Sequence, residues 1–345
     1  MGYTGAGQAA RSHERALHIY PIKFEEVFFE RVWGGTGLAR ALGKALPPGV
    51  PVGESWEIAD HPSAVSVVRN GPYAGRLLSN LREEFGMHLA GPRALTLGRG
   101  RLPLLIKFLD CHDRLSVQVH PNDAFAAAVK GGSLGKTEMW YVVDARPGAR
   151  LWCGLKPGID RAALQRAIAE GRVAETLQEF PVAPGDSFFI PAGRVHALGE
   201  GLLICEIQQN SDVTYRFYDW DRVGLDGKPR PLHVERSLEA IAYEDTRDPR
   251  CQPRVAEVPG AAVEQLVECP QFVAEKVTVT GRYHTHTHGT TFHTLSAVEG
   301  EGLVCAGEGP PEPLRRGESM LIPCAAGPYS IEATGKLTLL RAWVP

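Results

Sequence analysis

A short polar strand face is the first feature of this sequence that could support chemistry. The segment LSVQVHP, residues 115–121, reads as a strand, and its period-2 alternation places Ser116, Gln118 and His120 on one face. Three polar side chains on one strand face must contact water, a ligand or a metal ion, because burying them unpaired is costly. Taken alone, this strand is explained equally well by an ordinary solvent-exposed face.

A second segment, PGDSFFIPAGRVHALG at residues 184–199, carries a spaced set of turn residues and a histidine. Gly185, Pro191, Gly193 and His196 follow the pattern Gly-x5-Pro-x-Gly-x2-His. A glycine turn precedes a short apolar strand, and a Pro/Gly turn then reverses the chain, so that the histidine opens the next strand. This spacing resembles the second sequence motif of the cupin barrel and predicts that the histidine faces inward.

A carboxylate completes a set of metal-binding side chains. Glu138 opens an apolar strand in the segment KTEMWY. Together with His120 and His196 it gives two imidazoles and one carboxylate, with the amide of Gln118 beside them. Such donors suit zinc or another divalent transition ion. Two histidines, one glutamate and an open position match a catalytic metal better than a closed structural one.

These residues need strands to position them, and the sequence predicts many short ones. Its 38 glycines and 26 prolines are spread throughout the 345 residues and separate short apolar runs. The predicted strands lie near Glu26–Trp33, Leu104–Leu109, Leu115–Val119, Met139–Asp144, Ser187–Ile190, Leu202–Gln208, Thr214–Tyr218, Phe272–Thr280, Phe292–Val298, Ser319–Ile322, Tyr329–Ala333 and Lys336–Trp343. The predicted helices are Asn122–Lys130, Asp160–Gln178 and Leu232–Ala242. The pattern favours an all-β dominated fold, a sandwich or barrel with helical insertions.

A charged, proline-rich stretch divides the chain. Residues 245–259 show no periodicity and read as a connection between two β units. We therefore expect an N-terminal catalytic domain over 1–244, with a helical insertion at about 160–178, and a C-terminal domain over 260–345. The C-terminal part repeats the Gly-x5-Pro pattern from Gly317 to Pro323 without a following histidine. It is interpreted as a degenerate second barrel.

A cluster of histidines in this C-terminal part looks more metal-like than the first set. His284, His286 and His288 alternate along one segment, and His293 follows. Alternate histidines on one strand face could chelate an ion. No carboxylate and no second-motif histidine accompanies them, so we interpret them as exposed side chains with at most adventitious metal affinity.

Composition excludes several classes of protein. With 37 Lys+Arg against 40 Asp+Glu, the net charge of −3 argues against a nucleic-acid binder. No apolar run approaches eighteen residues, so we expect no membrane span. The seven cysteines include no CxxC pair, and the N-terminal segment lacks the apolar core of a secretory signal. We expect buried thiols in a reducing cytoplasm.

Several motifs, in order, resemble those of a known family. LSVQVHP, GKTEMWY, PGDSFFIPAGRVHALGEG and QQNSDVTYR (residues 208–216) resemble type I mannose-6-phosphate isomerases of the short bacterial kind. RVWGG at 31–35 and GESWE at 53–57 also match, and the resemblance covers the chain from about residue 20 to its end. It implies two cupin-type, jelly-roll-like β-barrels, of which the second holds no metal.

The resemblance also implies an activity. Members of the family are metal-dependent aldose–ketose isomerases that interconvert mannose 6-phosphate and fructose 6-phosphate through an enediol(ate). The implied metal ligands are His120, Glu138 and His196, with Gln118 as a fourth ligand in longer members. One Zn²⁺ or other divalent ion per chain, a sugar-phosphate substrate, and a monomer or homodimer are the corresponding expectations.

Further residues take roles by the same resemblance. Arg216 corresponds to the family's essential arginine, and Asp212 would lie with it at the mouth of the first barrel. Ser116 and Lys136 correspond to positions associated with substrate and its phosphate. Glu54 and Trp56 are assigned only to the pocket wall.

Some alternatives remain open at this stage. Asp212 and Arg216 could form a structural ion pair, and Asp212, Glu138 or a metal-bound water could each handle the proton. A bicupin regulatory protein that binds a sugar phosphate or a metal without catalysis is a second reading, and a cupin dioxygenase is a third. The presence of Arg216, Asp212 and Lys136 beside a metal site favours the isomerase.

Overall fold

Antiparallel strands are the main secondary structure of the computed structural model, which describes residues 17–129 and 133–345. The strands of the N-terminal part are β1 (Ile22–Lys23), β2 (Val27–Gly35), β3 (Val52–Ile58), β4 (Asp60–His61), β5 (Ala64–Val65), β6 (Leu104–Cys111), β7 (Val117–Val119), β8 (Glu138–Ala145), β9 (Arg150–Leu155), β10 (Leu177–Pro181), β11 (Ser187–Ile190), β12 (His196–Leu198), β13 (Leu202–Gln209) and β14 (Tyr215–Tyr218). Those of the C-terminal part are β15 (Arg254–Val258), β16 (Ala261–Glu268), β17 (Val273–Val279), β18 (Arg282–His286), β19 (His293–Ala306), β20 (Glu312–Arg315), β21 (Ser319–Ile322) and β22 (Pro328–Trp343).

Helices are short and lie between the strands. They are α1 (Gly37–Leu42), α2 (Leu78–Ala90), α3 (Pro92–Leu97), α4 (Asp123–Val129), α5 (Arg161–Ala169) and α6 (Val234–Ala240). In the described part of the chain, none of them has the length and hydropathy that a membrane-spanning helix requires.

Two sheets of the N-terminal part face each other. One has the strand order β11-β8-β13-β6-β3-β2 and the other β10-β9-β12-β7-β14. Trp140 on β8 packs against His196 on β12, with ring centroids 5.3 Å apart, which shows that the inner faces meet. The described strands form a cupin-like sandwich whose sheets do not close into a barrel. The predicted strand-dominated, cupin-like fold is confirmed.

The six-stranded sheet is buried on both faces. Strands β3, β6 and β13 have no exposed residue. On one face, Ile106 and Phe108 join a core with Leu81 and Phe85 of α2. The other face looks toward the five-stranded sheet. Charged side chains on that inner face therefore lie inside the molecule and need partners.

The C-terminal part forms a nine-stranded sheet with the order β1-β21-β19-β22-β17-β16-β15, in which β18 pairs with β22 and β20 with β19. Its interior is apolar, with Leu295, Ile331 and Leu339 fully buried. Strand β1, the first in the described residues, belongs to this sheet, since Ile22 pairs with Leu321. The two halves are therefore joined by strand pairing as well as by the connection.

The helical insertion is shorter than predicted. Asp160 caps α5 by accepting a hydrogen bond from the backbone N–H of Ala163 at 2.7 Å, as the sequence indicated. The helix then ends at Ala169, because Gly171 at φ 67° turns the chain, and the residues predicted as its second half include the start of β10. Within the predicted connection 245–259, the structure has strand β15.

Candidate active site

Three buried side chains converge between the two N-terminal sheets. His120 directly follows β7, Glu138 opens β8 and His196 opens β12. One ligand atom from each lies within 4.8 Å of the others. The Nε2 atoms of His120 and His196 lie 3.5 and 3.4 Å from the two carboxylate oxygens of Glu138. The residues predicted as metal ligands are thus brought together.

The turn before β12 fixes where His196 enters. Gly193 has φ 90°, in the left-handed region that favours glycine. Its N–H donates to the carbonyl oxygen of His120 at 2.8 Å, so the turn is tied to the end of β7. Within the sheet, His196 pairs in register with Gln118. The Gly-x5-Pro-x-Gly-x2-His spacing therefore delivers its histidine beside the first polar strand.

Backbone carbonyls orient both imidazoles. The Nδ1 atom of His120 lies 3.0 Å from the carbonyl oxygen of Val213, and that of His196 lies 2.9 Å from the carbonyl oxygen of Arg194. Because a carbonyl only accepts, each Nδ1 carries the proton and each Nε2 presents a lone pair to Glu138. Among the described residues, the buried Oε1 atom of Glu138 has no hydrogen-bond partner. These donors fit a divalent cation.

Electrostatics favour the ligand forms of the histidines. Burial, with Lys136 nearby, lowers the pKa of His196 to about 3 and lowers that of His120 well below 6.5. Both imidazoles are therefore neutral at pH 7. Burial raises the pKa of Glu138 to about 7, although Lys136 beside it favours the carboxylate.

A row of polar contacts leads away from this centre. The Nε2 atom of Gln118 lies 3.2 Å from Nε2 of His196, and its Oε1 accepts a hydrogen bond from Ser116 at 3.3 Å. The Oγ of Ser116 in turn accepts from Nε of Arg216 at 3.0 Å. The predicted residues on this strand face are thus linked to one another and to Arg216.

A second row of charges crosses the inner face of the six-stranded sheet. Its members alternate in sign along the order Arg31, Glu54, Lys107, Glu206, Lys136 and Glu138. Successive nitrogen–oxygen distances are 2.6 Å between Arg31 and Glu54, 3.5 Å between Glu54 and Lys107, 3.6 Å between Lys107 and Glu206, and 3.8 Å between Glu206 and Lys136. Lys136 then contacts Glu138 directly.

Sequence reasoning missed Lys107 and Glu206. Each is a charge with apolar neighbours on both sides in a buried strand, in LLIKFLDC and LLICEIQQ, and this could have indicated two buried charges. The charges of the row also shift the pKa values of its members. Burial alone would raise the pKa of Glu54, but Lys107, Arg31 and the indole N–H of Trp56 outweigh it and lower the pKa to about 2. Burial alone would lower the pKa of Lys136, yet Glu138 and Glu206 raise it.

Above these rows lies a cavity of about 660 Å³, which is large enough for a phosphorylated sugar. Gln118 and Lys136 line it, whereas the His120–Glu138–His196 group lies behind them. Glu54 and Trp56 line its wall, where the sequence placed them loosely.

Comparison with known proteins assigns the family. The model for "Phosphomannose isomerase type I, catalytic domain" matches residues 22–167, and that for "Mannose-6-phosphate isomerase, cupin domain" matches residues 262–341. The chain is also 39% identical over 312 residues to the mannose-6-phosphate isomerase ManA of Bacillus subtilis, covering 90% of this chain and 96% of that protein. The chain belongs to the type I phosphomannose isomerase family.

Two further relatives agree with this assignment, and a more distant structure shares the fold alone. The mannose-6-phosphate isomerase of Streptococcus mutans is 34% identical, over 88% of this chain and 92% of that protein. The crystal structure of the enzyme from Bacillus subtilis superposes with a TM-score of 0.84 at 33% identity, covering 93% of this chain and 99% of that one. A structure from Archaeoglobus fulgidus, 24% identical with a TM-score of 0.75 over 96% of this chain and 100% of that one, shares the fold.

The remaining predicted residues of this phosphomannose isomerase lie at the cavity wall. Arg216 lines the cavity and, among the described residues, has no carboxylate partner. Asp212 also lines it, but its carboxylate accepts from the hydroxyl of Ser63 at 3.1 Å and lies 3.8 Å from Nε2 of His61. Asp212 and Arg216 therefore do not form the ion pair that the sequence left open.

The histidine cluster of the C-terminal part lies elsewhere. His284, His286 and His288 are exposed, whereas His293 is buried with its Nδ1 2.8 Å from the hydroxyl of Tyr329. The residues that the structure describes bring no carboxylate into a three-ligand group with them. In this phosphomannose isomerase, the three-residue group that could hold a metal ion lies in the N-terminal sandwich.

Proposed function

We propose that this chain catalyses the metal-dependent interconversion of mannose 6-phosphate and fructose 6-phosphate. The observation that carries the proposal is the buried His120–Glu138–His196 group behind the wall of a cavity that Arg216 also lines, and this guanidinium has no carboxylate partner among the described residues. A metal centre and a cation beside one cavity suit a substrate with a carbonyl at one end and a phosphate at the other. The relatives named as mannose-6-phosphate isomerases support it.

We assign the metal as one zinc ion per chain, held by His120, Glu138 and His196. Two neutral imidazoles and a carboxylate with an open position are a donor set typical of catalytic zinc. Gln118 is the fourth ligand, because turning its side-chain amide would direct Oε1 to the point that Nε2 now occupies beside His196. The bound ion would act as a Lewis acid for the oxygens of the substrate.

The phosphate is assigned to Arg216 and Ser116. The guanidinium is held by Ser116 and by the carbonyl oxygen of Pro231, and no described carboxylate forms an ion pair with it in the cavity wall. Lys136 differs, since Glu138 and Glu206 lie on either side of its ammonium group. We therefore assign Lys136 to the reacting end of the sugar, where a neutralised charge can donate a hydrogen bond to a substrate oxygen.

Isomerisation needs a proton to leave one carbon and return to its neighbour, and two cavity carboxylates can carry it. Asp212 has a side chain 43% exposed, so that substrate can reach it. Glu206 is buried and lies between Lys107 and Lys136. Asp212→Asn and Glu206→Gln separate them: the variant that stops exchange of the substrate's C2 proton with solvent identifies the proton carrier.

We place the enzyme in the cytoplasm. The seven cysteines are free thiols, four of them buried, as in proteins of a reducing compartment. Its state as a monomer or homodimer stays a prediction, which sedimentation equilibrium tests.

The proposed function is tested by a coupled assay of fructose 6-phosphate formation. Purified protein should convert mannose 6-phosphate, lose activity when treated with a chelator and recover when Zn²⁺ is restored. Absence of turnover in the presence of Zn²⁺ would contradict the proposal and favour the alternative of a protein that binds its ligand without catalysis. Turnover that persists after the metal is stripped would contradict the metal-dependent mechanism.

A further inference from the structure

A loop after β14 forms one side of the cavity. In residues 219–231 the chain reverses on itself, with the N–H of Gly224 donating to the carbonyl oxygen of Lys228 at 2.7 Å and a bridge between Val223 and Pro229. The tip of this hairpin, including Leu225, lines the cavity. The hairpin is therefore close enough to touch a bound substrate.

A single buried carboxylate holds the base of the hairpin. Asp219 is 6% exposed and accepts hydrogen bonds from two arginines of the loop. Nε and Nη2 of Arg230 donate to its two oxygens at 2.7 and 2.6 Å, which is a bidentate pair. Nε and Nη2 of Arg222 donate at 3.1 and 3.0 Å. The carboxylate of Asp219 thus holds the guanidinium groups of both arginines in place.

The two arginines point in different directions. Nη1 of Arg222 donates to Asp113 at 3.1 Å and to the carbonyl oxygen of Arg114, and Arg222 does not line the cavity. Arg230 does line the cavity, and no described residue accepts a hydrogen bond from its Nη1. Arg230 therefore has a donor available for a ligand, whereas Arg222 is fully engaged within the protein.

Arg230 also lies close to Arg216. Both line the cavity, and Nη1 of Arg216 donates at 3.4 Å to the carbonyl oxygen of Pro231, the residue after Arg230. Burial, followed by the charge of Arg230, lowers the pKa of Arg216 to about 10, so Arg216 stays charged at pH 7 and is repelled by Arg230. Bringing two guanidinium groups together costs free energy unless an anion lies between them. Asp219 balances part of this charge from behind Arg230, on the side where the pair is bidentate.

We propose that Arg230 is a second phosphate-binding residue beside Arg216, and that Asp219 is the positioning residue that holds it at the cavity wall. The inference rests on the proposed function and deepens it, since it names the groups that recognise the phosphate monoester. Two guanidinium groups suit a dianion better than one, because each can donate two N–H groups to different phosphate oxygens. The hairpin then contributes to specificity for phosphorylated over unphosphorylated sugar.

The test compares Arg230→Met with Arg222→Met. Both substitutions remove an arginine of the hairpin that binds Asp219, but only the first removes a cavity donor. Arg230→Met should raise KM for mannose 6-phosphate about ten- to a hundredfold, with a much smaller change in kcat, and raise the inhibition constant of inorganic phosphate by a similar factor. Arg222→Met should leave both within about twofold. Arg230→Lys should fall between wild type and Arg230→Met.

Equal increases in KM for the two methionine variants would overturn the proposal, because the effect would then come from the hairpin's structure. A loss of kcat at unchanged KM in Arg230→Met would overturn it as well. Calorimetric titration with inorganic phosphate separates this inference from the proposed function, since it needs no turnover. A wild-type protein that binds phosphate through Arg230 but does not isomerise would retain the site and refute the isomerase.

Discussion

His196 and Glu138 come from opposite sheets, and Nε2 of the first lies 3.4 Å from Oε1 of the second. That carboxylate oxygen is buried, and no residue that the structure describes forms a hydrogen bond with it. A polar atom in this position is costly unless something compensates it. A metal ion would compensate it and join the two sheets, so metal binding and packing of the sandwich are coupled.

Glu138→Gln tests this relationship with little change in shape. The amide removes the charge and weakens the ligand, so the metal content of purified protein should fall at least about tenfold. Turnover should fall more than about a hundredfold, because both the ion and its effect on the substrate are lost. Metal content is measured by elemental analysis. A variant that keeps one equivalent of metal would show that Glu138 is not a ligand.

Arg216→Ala should separate substrate binding from metal binding. The guanidinium contacts Ser116 and the cavity but not the metal ligands, so metal content should stay near one equivalent. The value of kcat/KM for mannose 6-phosphate should fall about a hundredfold or more, as expected for loss of a charged contact to phosphate. Arg236→Ala, at an exposed position of α6, is the matched control and should change neither quantity. Loss of metal from Arg216→Ala would argue against separate roles.

The convergence of His120, Glu138 and His196 could be expected from the sequence, because the spacing of turns and strands determines where two of these side chains enter the fold. His120 lies on a strand face that period-2 alternation makes polar, and the turn at Gly193 delivers His196. The cupin-like fold followed from the same motifs. Each of these features depends on residues that are close together in the chain.

The row of alternating charges from Arg31 to Glu138 could not be predicted from local sequence patterns. Lys107 and Glu206 are paired across β6 and β13, strands that are distant in sequence, and no local pattern reveals that they are neighbours. The same holds for β1, which pairs with β21 from the other half of the chain. The role of Asp219 in the hairpin likewise depends on where its two arginines fold back. Tertiary pairing decides these contacts.

The charge row also predicts a pH effect on stability. The pKa of Glu54 is lowered from 4.5 to about 2, so its stabilising contribution is fully present above pH 4.5 and is lost as the pH falls toward 2. A shift of this size corresponds to about 3 kcal/mol of unfolding free energy. Glu54→Gln removes it and leaves Lys107 paired with Glu206.

Between pH 5 and pH 3, the free energy of unfolding should therefore fall by about 2 kcal/mol less in Glu54→Gln than in wild type. Urea unfolding at both pH values measures the difference, with the same metal content in each protein. Glu268→Gln, which changes an exposed carboxylate of β16, should behave as wild type. Parallel pH profiles for wild type and Glu54→Gln would contradict the assignment of charge at Glu54.

Substituting the exposed histidines of β18 tests whether the His120–Glu138–His196 group is the functional metal site. His284 and His286 share a strand face, and the rings of His286 and His288 lie 3.8 Å apart, so these side chains can bind a stray ion weakly. In the described part of the chain, no carboxylate joins them in a three-ligand group, whereas His196 has Glu138 beside it and a cavity nearby. The double variant His284→Ala/His286→Ala should keep one tightly bound metal and turnover within about twofold of wild type.

In excess Zn²⁺ the double variant should bind fewer additional ions, while the control His196→Ala should lose the tight site instead. Loss of turnover in the double variant would place the working metal in the C-terminal sheet.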